Sequence, residues 1–290
     1  MKTDDSSLPL KEQIHVQKMA DLLLKQADAY GRFPTPIKDI ADAAKLKVKS
    51  MDHLLAPELE APDSVKKALS KLQGFLDRRD RTIYLQRGLH TKRRKSLTLH
   101  EIAHDFLPEQ RMLYQILEDS ESELDDQTHD LFERSANCFA SDVHFQLNSF
   151  TSDARDMNFG IVGPVTKLTS RYGAGNYSTL RRYTEHCGHA AALLVCDSNK
   201  DDREWLAPRR FVRSSQFKQE IGNLRWPEVF SADSWFVSSR PRNVFALPDI
   251  HEIKTVKGQN VRLLIEAFDS TRQVFFLMRP FCLSTQLTAA

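Results

Sequence analysis

The feature that most constrains this chain is a pentapeptide with two histidines four residues apart. It reads His100-Glu101-Ile102-Ala103-His104. On an α-helix, residues four apart lie one turn apart on the same face, so both imidazoles can reach one ion. Helices that bind zinc use this spacing, and the glutamate beside the metal takes a proton from water. The pattern therefore predicts a helix with two metal ligands, His100 and His104, and one general base, Glu101.

The residues around the pentapeptide favour that helix. Leu97, Ile102 and Phe106 supply an apolar stripe, and neither proline nor glycine occurs within residues 92–107. Pro108 disfavours a helical conformation of the residue before it. We therefore expect a helix over residues 92–107 that ends before Pro108. The alternative is a helix whose two histidines are ordinary surface or core residues.

A catalytic zinc site needs a third protein ligand beside two histidines. The sequence after His104 lacks the further histidine of three-histidine sites, and a carboxylate from a later helix is the other common solution. Glu133 opens a segment in which Ala136 and Ala140 share its helical face. Small residues on that face allow a close approach of two helices. Glu133 is therefore the preferred third ligand.

Other residues compete with Glu133 for this role. The acidic stretch 118–130 holds seven carboxylates in thirteen positions, and we interpret it as a solvated loop. His129 and His144 are rival ligands. His144 lies eleven residues after Glu133, about three helical turns, which is too far to bind the same ion.

Two motifs together resemble the ImmA/IrrE family of zinc metallopeptidases. The first is Lys95-Ser96-Leu97-Thr98-Leu99-His100-Glu101-Ile102-Ala103-His104, and the second is Glu133-Arg134-Ser135-Ala136-Asn137-Cys138-Phe139-Ala140. The second matches the family pattern E-x-x-A-N-x-F-A, while Ala103 stands where the family usually has glycine. Residues 81–85 fit the short strand that precedes the active-site helix in that family. The resemblance covers about residues 15–150.

The resemblance implies His100, His104 and Glu133 as ligands of one catalytic zinc ion and Glu101 as catalytic base. The implied activity is that of a zinc metalloendopeptidase. Its implied substrate is a helix-turn-helix transcriptional repressor, cleaved in a stress or mobile-element response. The alternative is a non-catalytic regulatory or DNA-binding protein with a structural or vestigial zinc site. The presence of Glu101 argues against this alternative, because a structural site has no use for that carboxylate.

The sequence leaves open which group stabilises the oxyanion in such a reaction. Tyr84, Tyr114 and the basic run at residues 92–95 are the candidates. Each offers a hydrogen-bond donor upstream or downstream of the predicted active-site helix.

The fold class expected for the chain is α+β, in three parts. Residues 1–150 form a mainly helical, zincin-like peptidase domain with a short sheet. Residues 151–189 form a helical, helix-turn-helix-like segment, and residues 190–290 form a strand-rich α+β domain. Part of the resembled family carries a GAF-like sensory domain at that last position. We predict further helices at 14–30, 37–46 and 63–77, and strands at 81–86, 191–196, 209–213, 235–237, 244–246, 261–268 and 273–278, the last two as a hairpin.

Two features of the middle segment have alternative interpretations. Helices at 165–172 and 177–186, with Arg171, Arg181 and Arg182, resemble a helix-turn-helix whose arginines contact phosphates. Packing without nucleic acid is the simpler interpretation, and we prefer it. A second group holds four possible metal ligands, His186, Cys187, His189 and Cys196. Its spacing does not match the usual zinc patterns, so we interpret it as a helix end.

The composition of the chain limits the kinds of binding partner that we expect. Lys and Arg number 41 against 39 Asp and Glu, so no global charge attracts nucleic acid or an anionic membrane. Mean hydropathy is −0.46, and no apolar run is long enough for a transmembrane helix. The first seven residues lack the apolar region of a secretory signal, and four scattered cysteines fit a reducing compartment. We therefore expect a cytoplasmic protein without a membrane partner.

Overall fold

The computed structural model describes residues 2–3, 8–52, 72–120, 124–197, 204–238, 245–270 and 273–281. They form a mixed α+β protein with two sheets, which agrees with the expected α+β class. The chain divides into two compact units. The helical unit comprises the described residues of Ser6–Phe150 together with Arg171–Gly173, and the strand-rich unit those of Met1–Asp5, Thr151–Ser170 and Ala174–Ala290.

In chain order the elements are β1 (Lys2–Thr3), α1 (Leu10–Gln26), α2 (Ile37–Ala43), β2 (Lys47–Ser50), β3 (Gly74–Asp77), β4 (Thr82–Leu85), α3 (Thr91–Phe106), α4 (Pro108–Ser120), α5 (Asp126–Phe145), α6 (Leu147–Arg155), a π-helical turn (Pro164–Leu168), α7 (Thr169–Tyr172), α8 (Asn176–His186), β5 (Ala192–Asp197), β6 (Ala207–Arg213), α9 (Ser215–Glu220), α10 (Trp235–Ser238), β7 (Asp249–Lys254), β8 (Asn260–Asp269) and β9 (Gln273–Pro280).

The core of the helical unit lies between helices α1, α3 and α5. Both α1 and α3 pack against α5, and fully buried Leu23, Leu99 and Phe139 belong to one apolar cluster. A three-stranded sheet adjoins them, with β2 parallel and β3 antiparallel to the central β4. The chain passes from β4 to α3 through a short connection, so the sheet positions the start of the helix that carries both histidines.

Local chemistry explains the limits of α3. The His90 imidazole accepts a hydrogen bond from the Lys92 backbone N–H at 3.3 Å and so caps the first turn. Leu107 is extended, with ψ at 115°, as expected for a residue before proline. Pro108 then begins α4. Its lack of a backbone N–H costs nothing at this position, because the first N–H groups of a helix have no hydrogen-bond partner within the helix. The expected helix over 92–107 is confirmed to within one residue at each end.

Two predictions in the helical unit were wrong. The acidic stretch 118–130 is not a loop throughout, because α5 begins at Asp126; residues 121–123 lie outside the described residues. Asp125 accepts hydrogen bonds from the N–H groups of Gln127 and Thr128, so a carboxylate caps the helix. Part of the predicted helix 63–77, residues 63–71, also lies outside the described residues.

The remainder of that predicted helix contains strand β3. Phe75 of β3 lies opposite Tyr84 of β4. A Cβ atom at Gly74 would approach side-chain atoms of Leu85 and Leu97 to 2.8 Å, so the strand runs very close to its neighbours. This close packing against β4 and α3 overrides the helical periodicity of the sequence.

The strand-rich unit is built on a six-stranded sheet. Its order is β1-β6-β5-β9-β8-β7, with antiparallel pairs except for β1 and β6. The β8–β9 hairpin is confirmed, with Ala267 opposite Phe276. The predicted strand 235–237 is wrong, because Trp235–Ser238 forms α10, which the Ser234 hydroxyl caps by accepting from Phe236 N–H at 3.3 Å. Strand β7 and helix α9 were not predicted.

One further strand prediction, 244–246, falls partly outside the described residues. Phe245 forms an isolated bridge with Phe268.

Among the described residues, no helix is long and apolar enough to cross a membrane.

Candidate metal centre

Three side chains of the helical unit converge as the sequence predicts. His100 and His104 project from α3, and their Nε2 atoms lie 3.1 Å apart. Glu133 of α5 places Oε2 at 3.4 Å from His100 Nε2 and Oε1 at 3.4 Å from His104 Nε2. Fully buried Ala136, one turn after Glu133, lies in the apolar core shared by the two helices. The three groups could therefore hold one metal ion.

The spacing of these atoms suits a tetrahedral ion. Ligand atoms bonded to a tetrahedral zinc at about 2.0–2.1 Å lie about 3.3–3.4 Å from one another. The observed separations of 3.1, 3.4 and 3.4 Å are close to that value. Two imidazoles and a carboxylate are also a donor set that zinc accepts. The residues present thus fit a metal of this kind.

The Glu133 carboxyl and the His100 imidazole shift each other's pKa. The neighbouring imidazoles, first His100 and then His104, hold the pKa of the Glu133 carboxyl far below its usual range. Burial acts to lower the pKa of His100, but the adjacent Glu133 carboxylate outweighs it and raises that pKa. The carboxylate of α5 thus lies 3.4 Å from both imidazoles of α3.

Glu101 lies beside this cluster rather than within it. Its side chain is buried, and burial raises the pKa of the carboxyl above its usual value while the charges of His104 and His100 oppose the rise. A carboxylate with a raised pKa accepts a proton more readily. The predicted base is thus placed in an environment that strengthens it.

A residue that the sequence did not single out supports His104. Gln110, at the start of α4, is fully buried, and its Oε1 lies 2.7 Å from His104 Nδ1. Its Nε2 donates a hydrogen bond to the backbone carbonyl of Phe132 at 3.1 Å. In the sequence, the only indication of this contact was a polar residue six positions after His104, shortly after the proline at which a new helix begins.

Of the candidate oxyanion donors, Tyr114 has a ring in contact with the cluster. Its ring centroid lies 6.1 Å from that of His104, edge to face, and the Arg78 guanidinium lies 4.1 Å from its centre. Tyr84 is buried in β4 beside Phe75. The basic run occupies the first turns of α3, upstream of the histidines. The geometry therefore favours Tyr114.

The last turn of α3 is fixed by an ion pair next to His104. Asp105 is buried and accepts two hydrogen bonds from the Arg81 guanidinium, at 3.1 and 2.9 Å. Arg81 also donates to the backbone carbonyl of Ala44 at 2.8 Å. A cleft of about 620 Å³ opens beside this pair, lined in part by Met19 and Met112, and no member of the His–Glu cluster lines it.

The rival ligands lie elsewhere. His144 is buried and donates from Nε2 to the Tyr172 carbonyl at 3.0 Å, and burial lowers its pKa to about 4. His129 is exposed on α5, one turn before Glu133. Among the described residues, no other three histidine, cysteine or carboxylate side chains converge as His100, His104 and Glu133 do, so the segment 186–196 forms no such group.

The arginines considered for phosphate contacts have intramolecular partners. Arg171 stacks on the ring of Phe33, with 4.6 Å to its centroid. Arg181 pairs with Glu185 one turn along α8, at 3.3 Å. Arg182 is buried. Burial therefore withdraws Arg182 from the surface, whereas Arg171 remains exposed.

Comparison with known proteins gives a fold but no family. No protein-family model matches the chain, and no curated protein matches it. Among solved structures, the chain is similar to a Mycobacterium tuberculosis transcriptional regulator, with a TM-score of 0.51 and 10% sequence identity over 96% of this chain and 78% of that one. At this identity the likeness concerns the fold alone. The fold and site together define a mixed α+β protein with a candidate metal centre.

Proposed function

We propose that this protein is a zinc-dependent metalloendopeptidase with a zincin-like domain of the ImmA/IrrE kind. The observation that carries the proposal is the convergence of His100, His104 and Glu133 at near-tetrahedral spacing, with Glu101 buried beside them. His100, His104 and Glu133 would hold the ion. The motif resemblance and this geometry both support the proposal. The geometry adds to the motifs, because the spacing of residues in the sequence does not by itself place Glu133 of α5 beside the histidines of α3.

The proposed chemistry divides between the metal and the chain. A zinc ion at this site would acidify a water molecule and polarise a peptide carbonyl. Glu101 would take a proton from the attacking water and deliver it to the leaving amine. The Tyr114 hydroxyl donates a hydrogen bond to the developing oxyanion. The ion pair of Asp105 with Arg81 keeps the end of α3 in place throughout.

Exposure of the third ligand supports a catalytic rather than a structural site. Structural zinc sites are closed by four protein ligands, whereas catalytic sites keep a position for water or substrate. Three ligands converge here, and 39% of the Glu133 side chain is exposed, against 9% for His104. The cluster is therefore open on its Glu133 side.

The proposed substrate is a helix-turn-helix transcriptional repressor, and the proposed compartment is the cytoplasm. The substrate rests on the family resemblance, and the compartment rests on the four scattered cysteines, which fit a reducing environment. The structural neighbour is described as a transcriptional regulator, which is compatible with a protease that acts on a repressor and with a regulator that binds DNA. The burial of Arg182 favours the protease.

The substrate and the base can be tested together. Cells expressing the wild-type chain or Glu101→Gln are compared by sequencing of newly formed protein N-termini, and hydrolysis of the peptide found is then measured with purified protein. We expect Glu101→Gln to keep the metal and lose about 10²–10⁴-fold in rate, the usual contribution of a general base. Equal rates for the two proteins, or no new N-terminus with the wild type, would contradict the proposal.

Glu266→Gln is the matched control. Glu266 is also a buried carboxylate whose pKa burial raises, but it lies in β8 of the strand-rich unit. A glutamine there still accepts the hydrogen bond from Ile161 N–H. The rate should stay within about twofold of the wild type, which is small against the loss expected for a general base.

A further inference from the structure

Gln110 on α4 links one of the three candidate ligands, His104, to the backbone that precedes another, Glu133. The side chain is fully buried at the beginning of that helix. One end of its amide meets His104 of α3, and the other meets the Phe132 carbonyl of α5. Phe132 directly precedes Glu133 in the chain.

The partners of Gln110 determine which way its amide is turned. A backbone carbonyl can only accept, so the group 3.1 Å from the Phe132 oxygen is the NH₂ end of the amide. The oxygen end therefore faces His104 Nδ1 at 2.7 Å. An amide oxygen can only accept, so Nδ1 carries the hydrogen.

This hydrogen bond fixes the chemical form of the ligand. With the hydrogen on Nδ1, a neutral imidazole has its lone pair on Nε2. Nε2 is the atom that faces His100 and Glu133, at 3.1 and 3.4 Å. Metal-bound histidines are generally oriented by such a partner on the second ring nitrogen.

We infer that Gln110 is a positioning residue that presets His104 for metal binding and ties its helix to the backbone that carries Glu133. The inference rests on the proposed metal site. It concerns metal affinity and the hydrogen on one nitrogen, so it can fail or succeed whether or not the protein cleaves peptides.

The first test is the hydrogen position in metal-free protein. Histidine ¹⁵N shifts at pH 8 should place the hydrogen of His104 on Nδ1 in the wild type. In Gln110→Met, which keeps the length of the side chain but offers only a weakly accepting thioether, the hydrogen should move toward Nε2. A wild-type His104 with its hydrogen on Nε2 would overturn the inference.

The second test is metal affinity, measured by competition of zinc with a chromophoric chelator. Loss of such a supporting contact typically weakens metal binding 10–100-fold, and we expect that loss in Gln110→Met. Gln115→Met is the matched control, because Gln115 is exposed on the same helix. An affinity of Gln110→Met within twofold of the control would contradict the inference.

Gln110→Glu separates the two contacts of the side chain and covers the case in which Gln110→Met does not fold. The carboxylate still accepts from Nδ1 but, while ionised, cannot donate to the Phe132 carbonyl. We expect the His104 hydrogen to stay on Nδ1 and the zinc affinity to fall between those of wild type and Gln110→Met. Transfer of the hydrogen to Nε2 in Gln110→Glu would also overturn the inference.

Discussion

The two units of this protein bury polar side chains in different ways. In the strand-rich unit, the buried carboxylate of Glu266 accepts a hydrogen bond from Ile161 N–H at 2.9 Å. In the helical unit, His100, His104 and Glu133 converge on one another from two helices. The first arrangement satisfies a polar group that the fold has enclosed. The second gathers lone pairs at one point, which is an arrangement suited to a positive ion.

The largest effects should come from the two cores. Phe139 and Phe276 are both fully buried, the first in the helical unit and the second in the strand-rich unit. Replacing either by alanine should lower the free energy of unfolding of its own unit by about 3–5 kcal/mol. Amide hydrogen exchange in urea reports the units separately.

Metal affinity then distinguishes these two variants. Phe139 packs on Phe106 of α3, with ring centroids 5.8 Å apart, so Phe139→Ala should loosen α5 against the histidine helix and weaken zinc binding. Phe276→Ala should leave zinc affinity unchanged. Equal weakening by both variants would mean that the site does not belong to the helical unit alone.

Metal removal should have the next largest effect. Zinc at about one hundred times its dissociation constant should add about 2.7 kcal/mol to the free energy of unfolding of the helical unit, because the unfolded chain has no such site. Removing zinc with a chelator should increase amide exchange in α3 and α5. The same treatment should not change amide exchange in β8 and β9. Faster exchange in β8 and β9, with none in α3 and α5, would contradict a metal site in the helical unit.

For each pH unit, acid should have a smaller effect on the helical unit than metal removal, and this effect should act through His144. Burial lowers the pKa of His144 to about 4, against about 6.5 in an unfolded chain. Between these values the unfolded chain binds a proton that the folded chain does not, so stability falls as pH falls. The free energy of unfolding should fall by about 1.4 kcal/mol for each pH unit in this range.

The His144 contribution can be isolated by substitution. His144→Gln keeps a donor for the Tyr172 carbonyl but does not titrate. Its free energy of unfolding, measured by urea titration at several pH values from 4 to 6.5, should depend less on pH than that of the wild type. An unchanged slope would show that another group causes the acid effect.

Local sequence was sufficient to predict that His100, His104 and Glu133 come together, and insufficient to predict the residues that support them. His100, His104 and Glu133 lie on long helices whose periodicity and small residues are visible in the chain. Gln110 looks like an ordinary surface glutamine near a helix start. It becomes buried because α4 turns back at Pro108 beside α5, a contact between distant segments that no local pattern encodes.

The errors in secondary structure have the same origin. Trp235 and its aromatic neighbour favour a strand by propensity, yet Phe236 stacks on Phe230 at 4.4 Å and the segment is helical. Strand β7 was missed because it lies at the edge of the sheet and its residues are mostly exposed and polar. In both cases tertiary contacts decided the outcome.

The central claim is that one metal ion binds between α3 and α5, and zinc content with X-ray absorption spectroscopy tests it most directly. We predict one zinc per chain with nitrogen and oxygen neighbours, lost in His100→Ala and His104→Ala. His129→Ala and His189→Ala, which remove exposed histidines, should keep it. Zinc retained in both His100→Ala and His104→Ala, or a spectrum with sulfur neighbours, would contradict the claim.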